Sequence, residues 1–238
     1  DKRFLDIMDD TKAMLREMLG TENSLTLPVS GTGTAAMESC FVNLIEEGDR
    51  VLIIENGYFG MRMVDMCKRL KADVDVLNFE WGKPLSIDIL KTQLLKNEYK
   101  LVAVVHAETS TGVRNPVEKI KEYLSGQTIF IVDAVTSFGT ISLDVDKWGI
   151  DVIYSCSQKG LSCPPGASPV SFSLKAEDKI LNRKSPVPNF YLDMKQIIQY
   201  LGGSQRTYHH TAPINSMYAI YQALYDLKSE GLDSAIDR

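Results

Sequence analysis

TIFIVDAV, residues 128–135, is an apolar run that ends on a carboxylate, Asp133. Uninterrupted apolar runs bounded by polar turns are typical of parallel strands, because helices cover both faces of such a sheet. The signature recurs upstream in LVAVVH (101–106) and VLIIE (51–55), and downstream in DVIYS (151–155) and PVSFSL (169–174). DVLNF (75–79) is a sixth strand candidate. Helical spacing fills the intervals. Residues 60–71 place Met63, Val64, Cys67 and Leu70 on one side, residues 85–95 follow the same period, and residues 116–124 open on a proline that suits a first helical turn. The stretch 184–196, with two prolines and two aromatics, reads as irregular, and residues 213–228 read as an amphipathic helix. Strands alternating with helices of this size predict an α/β fold, a mostly parallel sheet flanked by helices. Ligand sites in such sheets lie beyond the carboxyl ends of the strands.

Composition removes several classes of function. The 238 residues include 26 Lys plus Arg and 31 Asp plus Glu, a net charge of −5, which argues against general nucleic-acid binding. Hydrophobic residues at 44% and charged residues at 24% describe a globular chain rather than a disordered one. No apolar run approaches the ~18 residues of a membrane span, and DKRFLDIMDD lacks the apolar core of a signal peptide. Neither nucleic acid nor membrane is therefore expected as a partner. Cys40, Cys67, Cys156 and Cys163 form no CxxC pair and read as reduced thiols of an intracellular protein. The expected location is the cytoplasm, with an organelle left open. Both ends read as cut. The chain does not begin with Met, residue 1 falls in the helical pattern of Phe4, Leu5, Met8, Met14, Leu15, Met18 and Leu19, and KSEGLDSAIDR at the other end is still helix-like. The expectation is a segment of a longer protein, with a compact protein of frayed ends as the alternative.

Four places could carry chemistry. In SGTGTAAME (30–38) small residues precede a helix former run from Ala35 to Leu44. Free N–H groups at such a start can cradle a phosphate, with Ser30, Thr32 and Thr34 adding hydroxyls, although a plain capped helix after a tight glycine turn fits equally well. Asp133 is carried to a strand end, where a carboxylate needs a partner. Lys159, in SQKG, lies past the end of the DVIYS strand. A lysine and a carboxylate converging there fit pyridoxal phosphate, the lysine forming the Schiff base and the carboxylate holding the pyridine nitrogen protonated; a buried salt bridge of Asp133 with another cation is the competing reading. Phe59, in NGYFG, could stack on a flat ring or simply fill the core. His106 reads as a core histidine bonded to backbone, whereas Thr109 is the better candidate for a polar contact. His209 and His210 need at least one more ligand to hold a metal, so no metal site is expected.

Taken together and in order, SGTGTAAMES, NGYFG, HAETSTG, VDAVTSFG, GIDVIYSCSQKGLSCPPG and YHHTAP resemble the class V, fold type I pyridoxal-phosphate aminotransferases, nearest the alanine–glyoxylate and serine–pyruvate group. The resemblance implies that residues 1–238 are the cofactor-binding large domain of such a protein, without its N-terminal segment and C-terminal small domain. It implies pyridoxal 5′-phosphate as cofactor, with Lys159 as the lysine bonded to it and Asp133 as the partner of the pyridine nitrogen. Gly31 and Thr32 match positions that hold the phosphate, Gln158 adds a contact beside the lysine, and Thr109 matches the residue near the ring hydroxyl. Phe59 stands where the group usually has tryptophan, so it can stack but cannot donate an indole hydrogen bond. Tyr208 and Thr211 match residues that reach the phosphate of the other subunit, which implies a homodimer with shared sites.

The implied reaction moves an amino group from a small amino acid, alanine or serine, to glyoxylate or pyruvate. In the family an arginine of the small domain clamps the substrate carboxylate. Arg62, Arg114, Arg183 and Arg206 are present, but none matches that clamp. Cysteine desulfuration is disfavoured, because Cys156 and Cys163 flank Lys159 too closely to serve as a mobile nucleophile. A 2-aminoethylphosphonate–pyruvate transaminase, a 3-hydroxykynurenine transaminase and a cofactor-binding scaffold without catalysis are the remaining alternatives.

Overall fold

Neighbouring apolar residues on a central strand point to opposite faces, and here both faces are covered by helices. The computed structural model describes residues 2–202 and 208–237. In chain order these form α1 (Lys2–Leu19), β1 (Leu25–Gly31), α2 (Gly33–Leu44), β2 (Arg50–Glu55), α3 (Tyr58–Arg69), β3 (Asp73–Asn78), α4 (Ile87–Leu94) and β4 (Leu101–Val105). A two-stranded ribbon of β5 (Ala107–Glu108) and β6 (Val113–Arg114) follows. Then come β7 (Ile129–Asp133), β8 (Val152–Tyr154), β9 (Gly166–Phe172), α5 (Leu174–Leu181), α6 (Met194–Gly202), α7 (Ile214–Glu230) and α8 (Leu232–Asp237).

The main sheet has seven strands in the order β1-β9-β8-β7-β4-β2-β3. From β3 to β8 all pairings are parallel, and β9 is antiparallel to both β8 and β1. β1 therefore runs in the same direction as β8. The carboxyl ends of every strand except β9 meet along one edge, which sets the place for a site. Leu52, Val102, Phe130 and Ile153 pack under α1, α4 and α7, while Ile53, Ala103, Ile131 and Val152 pack under α2, α3 and α5. That two-residue alternation makes three layers with a core on each side of the sheet.

The expected α/β architecture is present, with local differences. β1, LTLPVSG, lacks an apolar run and carries Pro28, so the sequence pattern passes over it. Pro28 faces Pro169 on β9, a rung that needs no N–H from either residue, and β1 lies at the sheet edge, where proline is tolerated. Residues 116–124 form two short 3-10 turns, Val117–Lys119 and Lys121–Tyr123, rather than one α-helix. Val117 and Ile120 are both buried, a spacing of three that suits the tighter turn. The strand expected through Leu174 stops at Phe172, because Ser173 caps a helix the pattern did not reveal: its Oγ accepts from Ala176 N–H at 3.2 Å. The irregular stretch ends at Asp193, and α6 begins at Met194. Among the described residues no helix is long and apolar enough to cross a membrane.

Candidate active site

A cavity opens beyond the carboxyl ends of β4 and β7, against the start of α2. Phe59, Thr109, Asp133, Gln158 and Lys159 all line it, so five of the residues singled out from the sequence meet on one wall. Gly31 and Thr32 sit one step back, at the end of β1 and at the N-cap of α2; Gly33 and Thr34 form the wall itself. Ala35 and Ala36 N–H donate to the Thr32 carbonyl at 2.8 and 3.1 Å, which leaves the N–H groups of Gly33 and Thr34, the first two of α2, available to an anion. Gly31 has φ 133°, and a Cβ there would lie 2.6 Å from the Cβ of Ala35, so only glycine lets the chain turn this tightly into α2.

Asp133 ends β7 and is 2% exposed. Its Oδ1 accepts from Val135 N–H and its Oδ2 from the hydroxyl of Tyr154, each at 2.8 Å. Burial pushes the carboxyl up to about 6; those two hydrogen bonds oppose the shift, the nearby Glu108 adds to it, and Arg62 works against it. No cation forms an ion pair with Asp133 among the described residues. Neither Tyr154 nor Arg62 was singled out for this role from the sequence. The signal for Tyr154 was its place at the end of DVIYS, next in the sheet to the strand that carries Asp133.

Phe59 is fixed from two sides. The Oε2 of Glu108 accepts from Phe59 N–H at 3.1 Å and Gly60 N–H at 3.3 Å, capping α3 from outside the helix. Its Oε1 accepts from the Ser110 N–H and hydroxyl, at 3.2 and 2.6 Å. A Cβ on Gly57 would lie 2.3 Å from the Cγ of Glu108, so glycine makes room for this carboxylate. On the other side the Arg62 guanidinium lies 5.0 Å from the centre of the Phe59 ring and donates to the Thr34 hydroxyl at 2.9 Å. Arg62 thereby ties the Phe59 ring to the start of α2. Thr109 donates at 3.4 Å to the Thr136 hydroxyl, and Thr136 in turn donates to Ala107 C=O at 2.7 Å.

Tyr208 and Thr211 stand away from this wall. Tyr208 is 72% exposed, and its hydroxyl pairs at 3.0 Å with that of Thr211. Gln205 and Arg206 lie outside the described residues. His106 is fully buried, but its ring makes no backbone hydrogen bond: Nε2 accepts from Arg114 Nε at 3.3 Å, and burial followed by the Arg114 charge lowers its pKa to about 4. His209 and His210 pair with each other, and His210 also pairs with the Ser30 hydroxyl at 2.8 Å. Among the described residues no group of three or more His, Cys, Asp or Glu could hold a metal. Burial pushes the Cys156 thiol, beside the cavity, up to about 11, which keeps it protonated and a poor nucleophile.

Comparison with known proteins places these residues in a lineage. The class-V aminotransferase family profile matches residues 1–237, and the chain belongs to that family. It is 36% identical over 237 residues to the alanine–glyoxylate aminotransferase of Callithrix jacchus, covering 98% of this chain and 57% of that protein. Among solved structures, alanine–glyoxylate aminotransferase from Nostoc sp. is 47% identical with a TM-score of 0.95, covering all of this chain and 63% of that one. Ureidoglycine–glyoxylate aminotransferase from Bacillus subtilis is 34% identical with a TM-score of 0.96, over 61% of its length. The fold is thus the fold type I arrangement, and the chain spans less than two thirds of the proteins it matches.

The wall fits the cofactor of that fold class on its own chemistry. Gln158 Oε1 is buried without a hydrogen-bond partner, the Lys159 amine has neither hydrogen bond nor ion pair among the described residues, and Asp133 is a buried carboxylate without a cation. A flat ring with a protonated nitrogen and a carbonyl carbon would answer Asp133 and Lys159, and a phosphate beside it would meet the open N–H groups at the start of α2.

Proposed function

We propose that this chain is the large domain of a pyridoxal-phosphate aminotransferase that moves an amino group from alanine or serine to glyoxylate or pyruvate. The observation that carries the reading is the buried Asp133 carboxylate, held by two neutral donors and in no ion pair among the described residues, on one wall with Lys159. The names of the relatives point to the same chemistry. Bound here, pyridoxal phosphate would supply an electron sink for the bond broken at the substrate α-carbon.

The residues then divide the work. Asp133 holds a proton on the ring nitrogen. Phe59 covers one ring face, and the Glu108 cap and Arg62 keep it in place. The first turn of α2, with Thr34, receives the phosphate. Lys159 Nζ would bond the cofactor and would serve as the base for the proton of the substrate α-carbon. Tyr208 and Thr211, pointing to solvent, would complete the phosphate site of a second copy, making the working unit a homodimer. The substrate carboxylate grip would come from an arginine of the small domain.

The test is covalent mapping. The full-length protein loaded with pyridoxal phosphate should show an absorbance band near about 400–430 nm that borohydride abolishes, with the adduct on Lys159. It should then exchange amino groups between alanine and glyoxylate. An adduct on another lysine removes the site assignment; a correctly placed adduct with no exchange from any amino donor favours a scaffold. Mixing inactive Lys159→Ala chains with an inactive Tyr208/Thr211 double variant should restore activity if sites are shared.

A further inference from the structure

Asp133 and Tyr154 are register partners on the adjacent parallel strands β7 and β8, both at the carboxyl edge of the sheet. Tyr154 shares its face of the sheet with Val152 and is 1% exposed. Phenylalanine would satisfy the same packing, and it would not bring a hydroxyl that must be satisfied in the core. That hydroxyl has one use: it donates to Asp133 Oδ2 at 2.8 Å. With Val135 N–H on Oδ1, the carboxylate is held from both oxygens, and its orientation toward the cavity is fixed.

We infer that Tyr154 is the positioning residue of the site, its phenol orienting the Asp133 carboxylate and keeping it anionic to receive a protonated ring nitrogen. This rests on the reading of Asp133 as that nitrogen's partner. Of the groups that favour the charge, the phenol comes after the Val135 N–H and before Arg62. Glu108, on the ribbon, disfavours the charge, and Arg62, on α3, favours it. The Cys40, Cys67 and Cys156 thiols, on α2, on α3 and after β8, are all pushed up by burial and bring no charge at neutral pH. Lys159 reaches the same cavity but makes no ion pair with Asp133. The carboxyl already stands at about 6 with both donors in place, so losing one would carry it into the neutral range.

The experiment is the pH dependence of pyridoxal 5′-phosphate affinity for the full-length apoprotein, read by cofactor absorbance between about pH 5.5 and 8.5. Tyr154→Phe should shift the acid limb upward by about one pH unit, weakening binding about fivefold near pH 6 and about twofold near pH 7, with affinity recovering toward pH 8.5. The melting temperature of the apoprotein should change little. A purely structural tyrosine would lower affinity evenly and leave the limb in place, and an unshifted limb overturns the inference. Replacement by 3-fluorotyrosine, a stronger donor of nearly the same shape, should move the limb the other way and serves if the phenylalanine variant fails to fold. Asp133→Asn separates the two readings. Its profile should be weak and keep only the titration of the cofactor's own phosphate. Wild-type affinity in Asp133→Asn would remove the ring-nitrogen reading itself. A weak Asp133→Asn beside an unshifted Tyr154→Phe would remove only the role of Tyr154.

Discussion

β7 and β8 carry a buried aspartate at each end, and the two are treated in opposite ways. Asp151 sits just before β8, at the amino edge of the sheet. Lys175 Nζ lies 2.8 Å from its Oδ2 and Lys121 Nζ 3.9 Å, Phe130 N–H donates to Oδ2 at 2.9 Å and the Ser173 hydroxyl to Oδ1 at 3.1 Å. Asp133, at the carboxyl edge, has a peptide N–H and a phenol, and no ion pair among the described residues. The chain neutralises Asp151 with its own cations, so that carboxylate belongs to the architecture. It leaves Asp133 charged and waiting, which is unfavourable for the fold alone and useful only when something cationic arrives.

The comparison breaks most sharply on exchanging each carboxylate for its amide. Asp133→Asn should lower turnover of the loaded full-length protein by at least about a hundredfold, because the developing negative charge loses its protonated sink. The same change should leave the apoprotein no less stable at pH 8. The sign follows from the raised carboxyl. Folding shifts it from 3.8 to about 6, so the folded state binds the extra proton between those values, and stability falls as pH rises from about 4 to 6. The full swing is on the order of 3 kcal/mol, and Asp133→Asn should lack it in urea titrations across that window. A wild-type pH profile in the variant would show that Asp133 is not under this strain.

Asp151→Asn should do the reverse. Cofactor affinity should hold, while stability drops by about 2 kcal/mol, below the cost of breaking a fully buried pair because Lys175 is 29% exposed and can turn partly to water. Chemical denaturation and a cofactor titration on the same sample check both halves. Glu108→Gln sharpens the contrast from the side of the ring, since it keeps one acceptor and loses another at the cap of α3. It should lose about 1 kcal/mol of stability and several-fold in cofactor affinity, through Phe59. The smallest effect belongs to Lys121→Met. At 3.9 Å from Asp151 and 36% exposed, this lysine should contribute less than about 0.5 kcal/mol.

Much of this was legible in the sequence. The apolar runs of β2, β4 and β7 announce themselves because both faces of those strands are buried, and a charge that follows such a run, as Asp133 does, must lie at an edge. Lys159 was legible for the same reason. β1 was not, because an edge strand with Pro28 and Ser30 carries no apolar run. Arg62 and Glu108 were not, because their roles depend on contacts with Thr34 and Phe59 that no local period encodes. Tyr154 stood in a quoted strand, but its partner is set by register between β7 and β8, which sequence spacing does not fix. Gly33 and Thr34 line the cavity, two residues beyond Gly31 and Thr32, which make the bend into α2.

The pairing of β1 with β9 has a consequence in time. Leu25 faces Phe172 and Gly31 faces Gly166, so the strand that leads into α2 finds its partner only after nearly the whole sheet has been synthesised. Local helices and the parallel strands β2, β3 and β4 can assemble while β1 is still unpaired, since contacts between distant segments close slowly. The start of α2 is therefore expected to be seated late. A nascent chain with its parallel strands in place and the partner of β1 still missing would expose a bare strand edge, the species most at risk of joining a neighbour instead of itself.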